Sequence, residues 1–170
     1  MPLKMFDPTA KPSGGITAVK HIVGIAAGKG GVGKSTSAVQ LAFAFARRGL
    51  KVGVLDADIY GPSIPRMLGL ETYLRPEIVD GMMVPPVAHG IRAMSMAFIT
   101  GDEAAILRGP MITKALAQML RSTAWGTKEQ PLDVLLVDMP PGTGDAQLSL
   151  AQLVPLTGAV DRKSTRLNSS

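Results

Sequence analysis

The chain has 170 residues, 46% of them hydrophobic but only 4% aromatic, which suits one compact domain with an aliphatic core and excludes a low-complexity chain. Its net charge of +5 is partly concentrated in residues 161–170, where Arg162, Lys163 and Arg166 face only Asp161, and the body shows no Lys/Arg cluster interleaved with aromatics, so a nucleic-acid partner is not expected. The absence of cysteine excludes disulfides and thiolate metal sites in this chain, and no apolar run reaches the roughly 18 residues needed to span a bilayer, so the expected setting is cytoplasmic with no membrane partner.

Residues 1–20 are rich in Pro, Gly, Thr and Lys without periodicity and read as a flexible lead-in to a domain covering 21–160. An apolar strand over 22–27 then runs into Gly28-Lys29-Gly30-Gly31-Val32-Gly33-Lys34-Ser35-Thr36, followed by an Ala-rich helix over 34–48 with Gly49 at its C-terminal cap. Strand, glycine loop and helix in that order, with the spacing G-x-x-x-x-G-K-S, make a Walker A phosphate loop. Its glycines let backbone N–H groups turn toward a phosphate, and the helix N-terminus adds partial positive charge. Lys34 is expected to reach the β- and γ-phosphates, and the Ser35 hydroxyl to ligate Mg2+.

A second short strand, 51–55, ends in Asp56-Ala57-Asp58. Strand–helix–strand requires a right-handed crossover, so this is an α/β fold with a mostly parallel sheet, helices on both faces, and both aspartates on the same edge as the phosphate loop. A helical turn near 63–68 closes at Gly69, and Asp80-Gly81 marks a small hairpin. Residues 91–96 read as a strand, and a helix beginning at Pro110 carries an apolar stripe of Met111, Ala115, Leu116 and Met119. Trp125 is expected to be a packing anchor.

The most hydrophobic strand, 132–137, ends in Asp138, the Walker B pattern of a carboxylate reaching the Mg2+ shell. Pro141, Gly142, Thr143 and Gly144 then form a loop able to reorient toward a γ-phosphate, and Asp145 is placed to cap a helix over 146–153.

Lys29, directly after the first loop glycine, makes the motif similar to the deviant Walker A of the MinD/ParA/nitrogenase-iron-protein superfamily of P-loop NTPases. That resemblance implies an ATP-dependent homodimer in which Lys29 crosses to the partner's nucleotide. Together with Asp56-Ala57-Asp58-Ile59-Tyr60-Gly61-Pro62-Ser63, Arg108-Gly109-Pro110-Met111 and Asp138-Met139-Pro140-Pro141-Gly142-Thr143-Gly144-Asp145, the loop resembles the Mrp/ApbC family of iron–sulfur cluster carrier ATPases. The resemblance implies ATP and Mg2+ as cofactors, Lys29, Lys34 and Asp58 as catalytic residues with Asp58 orienting the attacking water, Ser35, Asp56 and Asp138 on the metal side, and iron–sulfur client proteins as partners.

Members of that family continue beyond this length and end in a Cys-x-x-Cys pair that bridges a cluster between subunits, so the cluster belongs only to the full-length form. Residues 161–170 are polar, aperiodic and unlike the family, and read as a disordered foreign tail on a P-loop domain incomplete at its C-terminal side, with an open sheet edge beside the phosphate-loop strand. Preference for ATP over GTP rests on the resemblance alone. The competing readings are a MinD/ParA-type partitioning or positioning ATPase, which would call for a basic surface or an amphipathic membrane helix, and an inactive fragment.

Overall fold

The computed structural model describes residues 14–59, 61–72, 74–101, 109–142 and 145–163. The strands of the main sheet are β1 (Val19–Ala26), β2 (Val52–Asp56), β5 (Val87–Ala88), β6 (Ile91–Ser95), β7 (Leu132–Asp138) and β8 (Gly158–Asp161), in the spatial order β5-β6-β2-β7-β1-β8. All neighbouring pairs are parallel except β5 against β6. A separate hairpin joins β3 (Glu77–Val79) to β4 (Met82–Val84) through Asp80 and Gly81, whose φ values of 51° and 77° are the left-handed pair that a tight two-residue hairpin turn requires.

Because each central strand is covered on both sides, its side chains are sorted by alternation. Along β7, Leu135 and Val137 face one core and Val134 and Leu136 the other, while Leu132 at the strand's first position departs from the alternation and packs in the first core. The second core is closed by α1 (Lys34–Arg47), through Ala38, Val39, Ala42 and Ala46, and by the short α2 (Ile64–Met67) through Ile64. The first is closed by α3 (Met96–Thr100), α4 (Gly109–Arg121) and α5 (Asp145–Leu153). The expected α/β architecture, mostly parallel with helices on both faces, is therefore present.

Several boundaries differ from the sequence reading. The folded part starts before residue 21: a 3-10 turn over Gly15–Ala18 precedes β1, and Gly15 packs so tightly on Arg121 that a Cβ there would lie 2.2 Å from its carbonyl oxygen. Residues 1–13 lie outside the described residues. At the other end, Asp161 completes β8 and Arg162 N donates to Ala26 O at 2.8 Å, so the sheet ladder continues two residues into the stretch read as a tail; 164–170 lie outside the described residues. The apolar stripe of α4 is shifted, with Ile112, Leu116, Met119 and Leu120 buried and Met111 55% exposed. α3 has no counterpart in the sequence reading; Ser95 caps it by accepting from Ala97 N at 3.2 Å. Asp145 is the first residue of α5, not the residue before it.

Trp125 is fully buried, as a packing anchor should be, and it sets a strict requirement on β2. A Cβ on Gly53 would stand 2.8 Å from Leu132 and 3.1 Å from the indole ring. Gly53→Ala is therefore expected to destabilise the fold by about 2 kcal/mol, the range found for overpacked cores, read as a lower urea midpoint with an unchanged denaturant slope.

Candidate functional site

The carboxyl ends of β1, β7 and β2 lie side by side, with Ile25 registered to Asp138 and Asp138 to Asp56. The glycine loop leaves β1 at this edge and turns into α1, so the sheet delivers both aspartates to the foot of the loop. Within it Gly31 and Gly33 have φ of 74° and 83°, values that side-chain-bearing residues rarely adopt. A Cβ added to Gly28, Gly30, Gly31 or Gly33 would meet nothing within 4 Å. The loop is thus an open concavity, not a packed turn, consistent with a cradle shaped for something else to fill.

Lys34 is the first residue of α1 and only 7% exposed; its Nζ donates to Asp138 Oδ1 at 2.5 Å. Ser35 Oγ donates to the other carboxylate oxygen, Oδ2, also at 2.5 Å. Asp138 itself is fully buried. Burial pushes its carboxyl above the usual range, Lys34 and Ser35 pull it back, and the nearby Asp58 adds to the upward shift.

A cleft of about 420 Å³ opens above this pair and is lined by Lys29, most of the glycine loop, the start of α1, Asp58, Ser63 and Pro141. Of the residues expected to bind the phosphates, Gly30, Gly31, Gly33, Lys34, Ser35 and Thr36 line this cleft, whereas Gly28 and Val32 line a neighbouring cavity of about 540 Å³ that Lys29 shares. Asp58 borders the cleft, and its Oδ1 accepts from Gly61 N at 3.2 Å. Gly142 N donates to Ala27 O at 3.1 Å, tying the switch-like loop to the phosphate loop. Thr143 and Gly144 lie outside the described residues, as does Tyr60.

Asp56, expected on the metal side, has its carboxylate held by backbone N–H donors in this structure. Its fully buried carboxylate accepts from the backbone N–H groups of Asp58 (3.2 Å), Ser63 (3.0 Å) and Ile64 (3.1 Å), with Ser95 Oγ at 3.5 Å, and it does not reach the cleft wall. It acts as a cap for α2 and as the anchor of the Asp58–Ser63 loop. No sequence motif announces that job, since its donors come from the chain beyond it and from β6. Among the described residues no group of three or more His, Asp or Glu side chains is arranged to hold a metal. The hydroxyl of Ser35 and the carboxylate of Asp138 are hard oxygen donors of the kind that suits Mg2+, an ion that keeps several waters and takes its remaining ligands from phosphate.

An open glycine loop between a parallel strand and a helix, with its lysine and serine converging on the aspartate that ends the adjacent strand, defines a P-loop NTPase with the additional early lysine of the deviant Walker A. A family model described as ParA, "NUBPL iron-transfer P-loop NTPase", matches residues 18–161, and the chain belongs to that family. It is similar to the iron-sulfur cluster carrier protein of Escherichia coli K12, 56% identical over 148 residues that make up 86% of this chain and 39% of that protein. A protein of the same name from Mycobacterium bovis is 50% identical over 87% of this chain and 36% of its own length. Among solved structures, a nucleotide-binding protein from Archaeoglobus fulgidus in complex with ADP superposes with a TM-score of 0.75 at 37% identity, covering 88% of this chain and 56% of that one. The septum site-determining protein MinD from Pyrococcus horikoshii, at 19% identity and a TM-score of 0.58, shares the fold. The chain thus spans about two-fifths of the length of the E. coli relative.

The surroundings of Asp56 give a pH dependence with a definite sign. Burial and the neighbouring Asp138 push its carboxyl from 3.8 up to about 7, against the backbone N–H groups of Ile64 and Asp58. Between those two values the folded state holds a proton that the unfolded state has lost, so this group's effect is to lower stability as pH rises through that window. Urea midpoints measured at about pH 5 and about pH 8 should fall for the wild type, and fall less for Asp56→Asn, which cannot ionise.

Proposed function

We propose that this chain binds a nucleoside triphosphate, ATP by family, in the cleft above Lys34, Ser35 and Asp138, and that it forms the nucleotide-binding portion of an ATP-hydrolysing iron–sulfur cluster carrier. The observation that carries the binding reading is the convergence of Lys34 and Ser35 on the buried Asp138 beneath a loop whose glycines leave room for phosphate oxygens. The carrier reading is supported by 50–57% identity to proteins named iron-sulfur cluster carrier. The positioning-ATPase alternative has only fold-level similarity, at 19% identity, on its side.

In this reading the loop amides and Lys34 hold the phosphates, and Ser35 and Asp138 hold Mg2+, which supplies charge neutralisation of the β- and γ-phosphate oxygens. Asp58, on the cleft wall and fixed through Asp56, orients the attacking water; in phosphoryl transfer such positioning and charge stabilisation supply most of the rate. Lys29 is exposed at the mouth of the cleft, where it is free to reach the nucleotide of a second subunit, which supports a homodimeric working form. The iron–sulfur cluster is cargo in this scheme. With no cysteine among the 170 residues, this chain supplies no thiolate ligand to it. A cytoplasmic setting fits the family, and no helix among the described residues is long and apolar enough to cross a membrane.

Titration with Mg-ADP followed by thermal unfolding tests the binding reading. The wild-type chain should gain stability with ligand concentration, and Lys34→Met should weaken binding by at least about tenfold through the loss of charge-assisted hydrogen bonds. Asp58→Asn should keep binding and, in a chain extended to the length of its relatives, lower kcat with KM little changed. A melting temperature indifferent to nucleotide, or a response that survives Lys34→Met, would overturn the assignment.

A further inference from the structure

We propose that Asp138 is the resident counter-anion of the phosphate site: until a nucleotide binds, its carboxylate occupies Lys34, holding down the site's affinity for any phosphate ligand that arrives without a divalent cation. This deepens the reading of the cleft as a phosphate site and rests on it.

Lys34 is nearly buried and sits at the start of a 14-residue helix, beside a loop that presents backbone and not carboxylate. Among the described residues the anion it touches is Asp138, at 2.5 Å. The second oxygen of that carboxylate is taken by Ser35, so the three side chains satisfy one another. Asp58, a carboxylate on the cleft wall, is engaged by Gly61 N, and Asp56 by three backbone N–H groups.

A phosphate entering the loop competes with Asp138 for the same ammonium group. If it wins Lys34 without bringing a cation, a buried carboxylate keeps, among the described residues, the Ser35 hydroxyl as its side-chain partner, next to a new polyanion; stranding one member of a buried ion pair is among the more costly changes a protein can suffer. A divalent cation arriving with the phosphate replaces Lys34 as the partner of Asp138 and Ser35 and removes that cost. Cation and nucleotide therefore favour each other's binding, and the coupling is reciprocal by linkage. Its origin lies in the Lys34–Asp138 pair as well as in contacts between metal and phosphate.

Replacing the carboxylate should consequently act in opposite directions under two conditions. In Asp138→Asn the buried ammonium of Lys34 has lost its counter-charge, and an incoming anion supplies one. Calorimetric titration with ADP and with pyrophosphate in EDTA should show the variant binding at least about tenfold more tightly than the wild type, a difference of about 1.4 kcal/mol. Added Mg2+ should tighten ADP binding strongly in the wild type and little in the variant. A residue that only ligated the cation would leave affinity in EDTA unchanged, so a variant that binds ADP no more tightly there than the wild type overturns the proposal while leaving the phosphate site intact. A wild-type chain that binds ADP neither with nor without Mg2+ overturns the phosphate reading and this proposal with it. The pair is also tested without ligand by comparing melting temperatures of Lys34→Met, Asp138→Asn and the double variant. A double variant more stable than the less stable single supports the counter-anion role, and additive losses overturn it.

Discussion

The structure depends on a pairing of two parallel strands that brings a lysine and an aspartate together although they stand 104 residues apart in sequence. β1 and β7 are hydrogen-bonded neighbours along most of their length, and the partner of Ile25 in that ladder is Asp138. The loop that leaves β1 must fold back over the ladder's end to enter α1, and so sets Lys34 and Ser35 directly over that carboxylate. Any slip in register between these strands would turn Asp138 into one of the cores and leave an unpaired charge in an aliphatic interior. The same interaction thus fixes register and builds the cleft. A buried ion pair of this kind contributes specificity of arrangement more than net stability, because desolvation offsets most of its attraction.

Asp56 and Asp138 show how neighbours in one sheet acquire different tasks. They face each other across β2 and β7, both fully buried. Asp138 has cationic and hydroxyl side-chain partners projecting from α1, Lys34 and Ser35, and these line the cleft. Asp56 has backbone N–H groups from the chain that follows it, and its task is to shape that chain: it draws Ser63 and Ile64 into the start of α2 and holds the N–H of Asp58. Burial first, and then the charge of Asp138, push the carboxyl of Asp56, the one without a cationic partner, up to about 7. Ser95 extends the arrangement laterally, approaching Asp56 with its hydroxyl while capping α3, so the walls of the cleft and the entrance to the other helical layer share one small network.

The phosphate loop is legible in the sequence because glycine spacing, the adjoining apolar strand and the helix that follows all point to one backbone geometry. β7 is legible for a related reason: its stretch from Val134 to Val137 is buried on both faces, which leaves no choice but aliphatic side chains. The misreadings come from places where tertiary context decides. Met111 fits a helical stripe by spacing, yet the phase of α4 is set by what Ile112, Leu116, Met119 and Leu120 find beneath them, and Met111 points outward. Residues 14–18 look like linker, but Gly15 has no room for a side chain against Arg121 and is held as part of the domain. Asp56 can be placed on the correct edge from topology. Its donors cannot be foreseen, since three of its four partners depend on how residues 58–64 double back and the fourth on which strand lies next to β2.

A phosphate in the cleft has a physical route to the rest of the molecule. The chain after Asp138 is pinned at both ends of a short path: Met139 N donates to Ile25 O and Gly142 N to Ala27 O, so the switch-like loop is an extension of the β1 ladder, running beside the phosphate loop. It then enters α5, whose Gln147 Nε2 reaches back to Pro140 O at 3.0 Å and whose Leu150 is fully buried in the core shared with α4. A change in the loop over Pro141 and Gly142 therefore has little freedom to dissipate locally. One side is fastened to the strand that carries the glycines, and the other is the start of a helix packed against α4. Nearly incompressible packing makes such an element move as a body or not at all.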